Sequence, residues 1–467
     1  MEIVSNRGVL VTDEGAMSAS ANGVGRDHPT PIILVTGLEP AAIARVGEAL
    51  VGTDGASGTV LVHHDLGRIV DGRVARRMAW VDSGGRRHDG QAEIELAHGC
   101  VSCTLREDLL PLLRRLHRRS AVRRIVVALD PIMEPERICW AIEQVVVAQM
   151  PGFVDGPAGR DVRVEATVAC IAEDAWLDAA TGDLGLVEAG FDAVVDDDRT
   201  LAQVAVGQVA HADALVVAGC DPAMRDAWES ARLAAVCKRL APGAPIMMEL
   251  PQRPVTGFLV ESLLAAVGPR ARRGRLDGPH DPLLRDQPAL SADCGVSWVE
   301  FHADRPLHPG RLHEAIDVLL EGVVCARGRL WLATRPDEAL WLESAGGGLR
   351  VAPGGRWLAA MDEDERAGVD PERRAMGALR WDEQFGDRHT SLVVLVHRAD
   401  PTEIQDALRA ACLNEVEFTA GEDFWSSFED PFGDMHADPC DDLDPPGEPS
   451  VDAIRAGDGP DNREDRV

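Results

Sequence analysis

The stretch PIILVTGLEPAAIARV, residues 31–46, decides the fold. A short apolar run ends at a glycine, and a helical pattern over 39–51 follows at once. Strand, glycine and helix in that order mark the place where a parallel α/β sheet carries a phosphate-binding loop. In a working loop of the form G-x-x-x-x-G-K-[ST], backbone amides cradle phosphate, the lysine meets it and the hydroxyl binds magnesium. Counting from Gly37, Ala42 stands for the second glycine, Ile43 for the lysine and Ala44 for the hydroxyl. Glu39 adds a negative charge to the loop and Pro40 removes a donor. The only lysine of the chain is Lys238, so no loop lysine can come from elsewhere. Phosphoryl transfer rests on positioning and charge neutralisation. The reading is of a nucleotide fold that no longer hydrolyses.

Outward from this stretch, β-rich runs alternate with helical ones. Strands are expected at 59–65, 124–129, 162–171, 214–219 and 245–250, and helices at 104–118, 136–147, 200–212 and 224–240. Such alternation predicts an α/β domain over 30–267, with a largely parallel sheet and helices on both faces. Residues 268–293 are rich in Gly, Pro, Arg and Asp and read as a linker. Beyond it, strands at 296–303, 325–334, 338–344 and 391–398, with helices at 308–322 and 401–413, predict a smaller α+β, ferredoxin-like domain over 294–420. Residues 1–29 read as a disordered extension in which Met17 could be the start, and 421–467 as an acidic tail, largely disordered at its end.

Composition narrows the function. With 467 residues there is material for two cores. The net charge of −31 opposes direct binding to nucleic-acid phosphate. The one basic stretch, LLRRLHRRSAVRR at 112–124, is first of all a solvated helix face. No apolar run is long enough to span a membrane, and no secretory signal opens the chain. Ten cysteines spread over such a chain suit reduced thiols in a cytoplasmic protein.

Two of those cysteines stand apart. Within LAHGCVSCTLREDLLPLLRRL, 96–116, Cys100 and Cys103 lie three apart at the start of a helix. A close pair of this kind holds a metal, cycles as a dithiol or is an inert buried pair. Zinc takes four donors and favours thiolates, and a helix start lowers thiol pKa. His98, His63 and His64 are near enough in sequence to complete a ligand set, although each reads first as a structural histidine, and the tail offers His436 and Cys440 in MHADPC. The other cysteines read as core.

These motifs together resemble the CobW-type GTPase and metallochaperone family, from about Pro31 to Asp434. The family's G-C-x-C-C-T-L-R-x-D-L stands here as GCVSCTLREDL, with Ser102 for its middle cysteine. Its E-[ST]-x-G-x-x-[DE]-P stands as ALDPIMEP, 128–135, having lost the glutamate and glycine. Its N-K-x-D follows the lead-in of GQVAHADALVVAGCD, 207–221, but with Ala218 and Gly219 for Asn and Lys. Gly37 and Asp221 are the remnants of nucleotide contacts that the resemblance implies, in a site where GTP lacks its catalytic partners. HGCVSC, ICWAI and DPFGDMHADPC are similar to an actinobacterial branch that recruits a ribosome hibernation factor to the small ribosomal subunit under zinc limitation. That resemblance implies zinc as a regulatory ion on Cys100 and Cys103, and a partner met through the acidic surface. The alternative it implies is a zinc metallochaperone with residual GTP binding or hydrolysis. Cycling of Cys100 and Cys103 to a disulfide would instead mark a dithiol oxidoreductase.

Overall fold

The apolar run after Pro31 becomes β1 (Thr30–Gly37), in which Ile32, Ile33, Leu34 and Val35 are fully buried. The computed structural model describes residues 28–51, 58–191, 197–219, 226–250, 252–284 and 290–432. Asp221, His436 and Cys440, Met17 and the end of the acidic tail lie outside these residues. From β1 the chain runs through α1 (Pro40–Val51), β2 (Thr59–Asp65), β3 (Arg73–Val81) and β4 (Arg87–Glu95). Next come α2 (Val101–Thr104), a π-helical segment (Leu105–Leu109), α3 (Leu110–His117), β5 (Arg124–Ala128) and α4 (Pro135–Gln144). A two-residue pairing of β6 (Val146–Val147) with β7 (Gly156–Pro157) leads to β8 (Val162–Ala172), α5 (Trp176–Thr181) and α6 (Leu201–Ala210). The first sheet closes with β9 (Ala214–Ala218), α7 (Ala227–Leu240) and β10 (Ile246–Glu249), followed by α8 (Gly257–Ala265).

The sheet order is β10-β9-β8-β1-β5-β2-β3-β4, parallel from β10 to β2. It is the mostly parallel, helix-covered sheet that the alternation predicts. α1 and α8 share a core with one face, and α5, α6 and α7 with the other. β3 and β4 were not foreseen between β2 and the cysteines. They add an antiparallel hairpin at the sheet edge, turned on Asp82, whose carboxylate accepts from the amides of Gly84 and Arg86. Exposed and half-buried residues alternate along β4, and its charged side chains suit an edge strand.

The helix expected over 104–118 is broken. Pro111 has no amide, and its ring would collide with the carbonyl four residues back in an α register. The ladder before it widens instead, and Leu110 N–H donates to Leu105 O.

The second sheet is antiparallel, ordered β11-β15-β12-β13-β14. It is built from β11 (Ser297–Ala303), α9 (Pro309–Glu314), β12 (Val323–Leu330), β13 (Glu338–Ala345) and β14 (Gly348–Arg356). α10 (Glu363–Gly368), α11 (Pro371–Leu379), β15 (Thr390–Val396) and α12 (Pro401–Ala411) complete it. The helix expected over 308–322 stops at Glu314, where Ala315 shares the carbonyls of Arg311 and Leu312 and the chain tightens into a 3-10 turn. β14, α10 and α11 are additions between β13 and β15.

The two sheets share a core. Trp298, Val324, Ala345 and Leu395 of the second pack with Trp176, Ala205, Leu233 and Val236 of the helices on the first. At the β13–β14 turn, Gly346 (φ +50°) presses on Gly182 and Ala202 so closely that a Cβ would overlap both. The segment read as a linker is bonded to both sheets. Arg273 N donates to Asp213, Arg327 Nη2 to Leu283 O and His280 Nε2 to Gly354 O. Past Gly421, α14 (Glu422–Trp425), which follows α13 (Glu415–Ala420), seats Trp425 against Trp331, Phe385 and Phe418.

His397, at the end of β15, is buried and held neutral, its pKa pushed down to about 4 by burial and then by the Arg398 charge. The unfolded chain takes up that proton near 6.5. Between these values the unfolded state binds more protons, so this group's contribution to stability falls as pH drops from 6.5 towards 4. Urea denaturation across that window is expected to show a shallower pH slope for His397→Gln than for the wild type, by at most ~1.4 kcal/mol per pH unit.

Candidate metal centre

The thiol turn is placed by the strand before it and the helix after it. β4 ends at Glu95, and Leu96 N–H returns to Gly72 O. Gly99 then passes so close to the Ile69 carbonyl that a Cβ would overlap it. Cys100 follows in an extended conformation as N-cap of α2, and its sulfur accepts from Cys103 N–H at 3.4 Å. Thr104 closes the turn, its amide and hydroxyl both reaching Cys100 O at 3.2 Å. Cys100 and Cys103 are free thiols, each half-buried.

The lowered pKa expected of a helix start is not found at Cys103. Burial, the neighbouring Cys100 sulfur and the Glu107 charge push it up to about 11. α2 runs on through the π segment into α3, and burial with these two neighbours outweighs the field of the helix start. Glu107 also sits under the turn, its carboxylate accepting from Ala97 N–H at 3.3 Å. A metal therefore has to displace the Cys103 proton to bind.

Beneath the turn lies a buried charge cluster. Asp108, 5 % exposed, accepts from His64 Nε2 at 2.8 Å and Arg76 Nη1 at 2.6 Å. Burial alone would raise this carboxyl, but the His64 bond and the Arg76 charge outweigh it and hold it below the usual range. The cluster ties the π segment to β2 and β3 and so fixes the thiols over the sheet. His63 is turned the other way, its Nδ1 on Ala128 O at 2.9 Å. His63 and His64 thus make structural hydrogen bonds, the first of the two readings that the sequence allows for them. His98 is exposed on the turn. Among the described residues no three His, Cys, Asp or Glu side chains are arranged to hold a metal ion. The two thiols supply half of a zinc shell and leave the other half open.

At the C-terminal end of β1, where the strand order reverses and such sheets bind ligands, the crevice is filled. α1 begins at Pro40, leaving only Leu38 and Glu39 for a loop. The amides of Ala42 and Ile43, which a phosphate would need, are spent on Glu39 O. Ile43 is 2 % exposed, packed where a lysine would reach out. Gly37 is fixed by packing, since a Cβ there would lie 2.5 Å from Cys170 O. Gln208 of α6 crosses the crevice, donating to Pro131 O at 2.8 Å and to Gly37 O at 3.4 Å. The surviving Glu134 is a strut, paired with Arg199 and Arg137. The basic stretch at 112–124 is partly structural too: buried Arg114 pairs with Asp161, and Arg124 with Glu261.

Gly99, Glu107, Asp108 and Gln208 were not singled out from the sequence, although the first three stand inside the quoted cysteine motif. The signal for Asp108 was its spacing, since Leu105, Asp108 and Leu109 share the buried face.

Comparison with known proteins agrees with this architecture. A family model described as "CobW/HypB/UreG, nucleotide-binding domain" matches residues 70–248, starting well after the Gly37 loop. A second, "Cobalamin synthesis protein cobW C-terminal domain", matches 296–412. A Mycobacterium tuberculosis protein named as a zinc chaperone is 50% identical over 413 residues, covering 88% of this chain and 94% of its own length. The zinc-regulated GTPase metalloprotein activator 1 of Dictyostelium discoideum is 22% identical over 349 residues, 73% of this chain and 70% of its own. Among solved structures, the Zn(II)-bound YjiA GTPase of E. coli aligns over 83% of this chain and 100% of its own at 13% identity, with a TM-score of 0.34. Among the described residues no helix is long and apolar enough to cross a membrane.

Removing the charge under the thiols tests how the turn is held. Asp108→Asn takes away the buried charge shared by His64 and Arg76, and urea denaturation is expected to show a loss of about 3 kcal/mol.

Proposed function

The chain belongs to the CobW family, and from that premise we propose that it is a zinc-handling protein that takes zinc on Cys100 and Cys103 and gives it up to a protein partner. The observation that carries this reading is the open thiol pair. Two half-buried thiols share one turn, and among the described residues no third His, Cys, Asp or Glu is arranged with them to hold a metal ion. A closed structural site would surround the ion with four protein ligands, whereas an open one admits ligands from a client. Zinc is the cargo here. It binds as the two thiols lose their protons, and it leaves as bonds to the client's donors replace those to sulfur. The fixed Asp108–His64–Arg76 cluster keeps the turn from collapsing between these states.

Hydrolysis of GTP is not part of this proposal. The filled crevice, with Ile43 in the core and Gln208 across the opening, supports a handover without a nucleotide cycle. The purified protein is expected to take up one zinc ion in competition with a chromophoric chelator, and Cys100→Ser with Cys103→Ser to lose it. Undiminished zinc uptake by that double variant would remove the proposal. Incubated with GTP and magnesium, the wild type is expected to release phosphate at the rate of buffer alone; turnover abolished by Gly37→Trp would restore the GTPase reading.

The same filled crevice favours a second reading, in which zinc on these thiols is a signal rather than cargo and the protein brings a hibernation factor to the small ribosomal subunit. A tagged pull-down from zinc-depleted cells separates the two. Zinc-released small-subunit proteins favour the signal, and a zinc-enzyme client favours the cargo.

A further inference from the structure

Between the second sheet and α11 lies a cavity of about 380 Å³, lined by residues remote in the chain from the thiols. Arg329 of β12 stands in its wall, 7 % exposed. Its Nη1 donates to the carbonyls of Pro279 and Asp281, at 2.9 and 3.0 Å, while its Nε is buried with no hydrogen-bond partner. Arg373 and Arg380 of α11 and the loop after it come down from the other side, and the buried Nε of Arg373 also lacks a partner. His389, 8 % exposed, donates Nδ1–H to Asp387 O at 2.8 Å, which leaves the lone pair of Nε2 facing no partner.

Three carboxylates line the cavity: Glu300, which is exposed, and Asp281 and Asp387, whose oxygens bind backbone amides. Asp387 accepts from the amides of Leu358 and Ala359, and Asp281 from that of Gly278. Burial and then the charge of Arg380 push Arg329 down to about 10. Burial pushes His280 and His389 to about 4, so neither imidazole brings a charge. A buried guanidinium with an unfilled donor is costly unless an anion completes it.

α11 itself has no buried residue, and Leu379 at its end is 82 % exposed. It touches the core lightly, Gly377 resting on Leu358 and Arg373 Nη2 donating to Arg356 O. An anion joining Arg329 below to Arg373 and Arg380 above would clamp it.

We propose that this cavity binds a small phosphorylated molecule, whose phosphate is held between Arg329, Arg373 and Arg380. Three guanidiniums approaching from two sides suit a tetrahedral dianion better than a planar carboxylate. The room left beside Phe301 and Met376 takes an organic group, and His389 Nε2 accepts from its hydroxyl. This site is separate from the zinc reading and does not depend on it.

Calorimetric titration of the full chain tests the assignment, with inorganic phosphate, guanosine monophosphate and citrate as probes. Saturable binding of phosphate or of the monophosphate is expected, weakened about tenfold in both Arg373→Gln and Arg380→Gln. Arg380 is exposed and Arg373 half-buried, and an unchanged far-UV circular dichroism spectrum is expected of each variant. The His389 ring resonance is expected to shift during the same titration. Tighter binding of the monophosphate identifies an ester as the ligand, and equal binding identifies phosphate itself. No saturable binding, binding that both variants leave unchanged, or a preference for citrate would overturn the proposal.

Discussion

α6 is almost enclosed, with Gln203, Gly207 and Ala210 half-buried along one stripe, and much of the molecule is arranged to allow it. The helix LAQVAVGQVA carries no charge, as a helix so deeply set requires. The first sheet covers one flank, and the glycine turn of β13–β14 closes on the other. Its start is capped within itself, Thr200 and Gln203 exchanging bonds so that no amide is stranded. The one long polar side chain left inside, Gln208, has to find partners in the core, and it finds the carbonyls of Gly37 and Pro131. A second domain could dock only where the first offered such a surface. The cost falls on the ligand crevice at the end of β1, which α6 now bridges.

The thiol turn follows a different logic. It sits at the edge of the first sheet, beyond a hairpin whose surface is charged, and is held from below rather than enclosed. Its support is ionic: one carboxylate serves an imidazole and a guanidinium from two strands. Apolar packing could anchor the helix, but the turn above it is fixed by charge. The site therefore joins two chemistries, a buried ion cluster beneath and two half-buried thiols above.

The parallel sheet was legible because its strands are runs such as IILV and IVVA, whose burial on both faces leaves one reading. The absent phosphate loop was equally plain, since lysine, hydroxyl and glycine failed at counted positions. Cys100 and Cys103 were visible from spacing alone. The β3–β4 hairpin was missed because its alternation is half polar, R-V-A-R-R-M-A-W-V against R-H-D-G-Q-A-E-I-E, and polar alternation also describes a loop. The partner of His64 was hidden, because a histidine near two cysteines reads as structural or as ligand, and only the fold shows Asp108 taking it. The raised pKa of Cys103 was beyond the sequence, for it depends on burial and on Glu107 folding back beneath the turn.

The π segment at 105–109 has an effect on phase. An α-helix advances 100° per residue, so one residue accommodated in a widened turn shifts everything before it by that angle relative to everything after. α3 can therefore lay Leu110, Leu113 and Leu116 into the core while Cys103, about two turns earlier, stays half-buried on another face. An unbroken helix would force a choice between the two faces, either drowning the sulfurs or lifting the leucines. Pro111 removes that choice, and with it the site acquires an orientation independent of the helix that carries it.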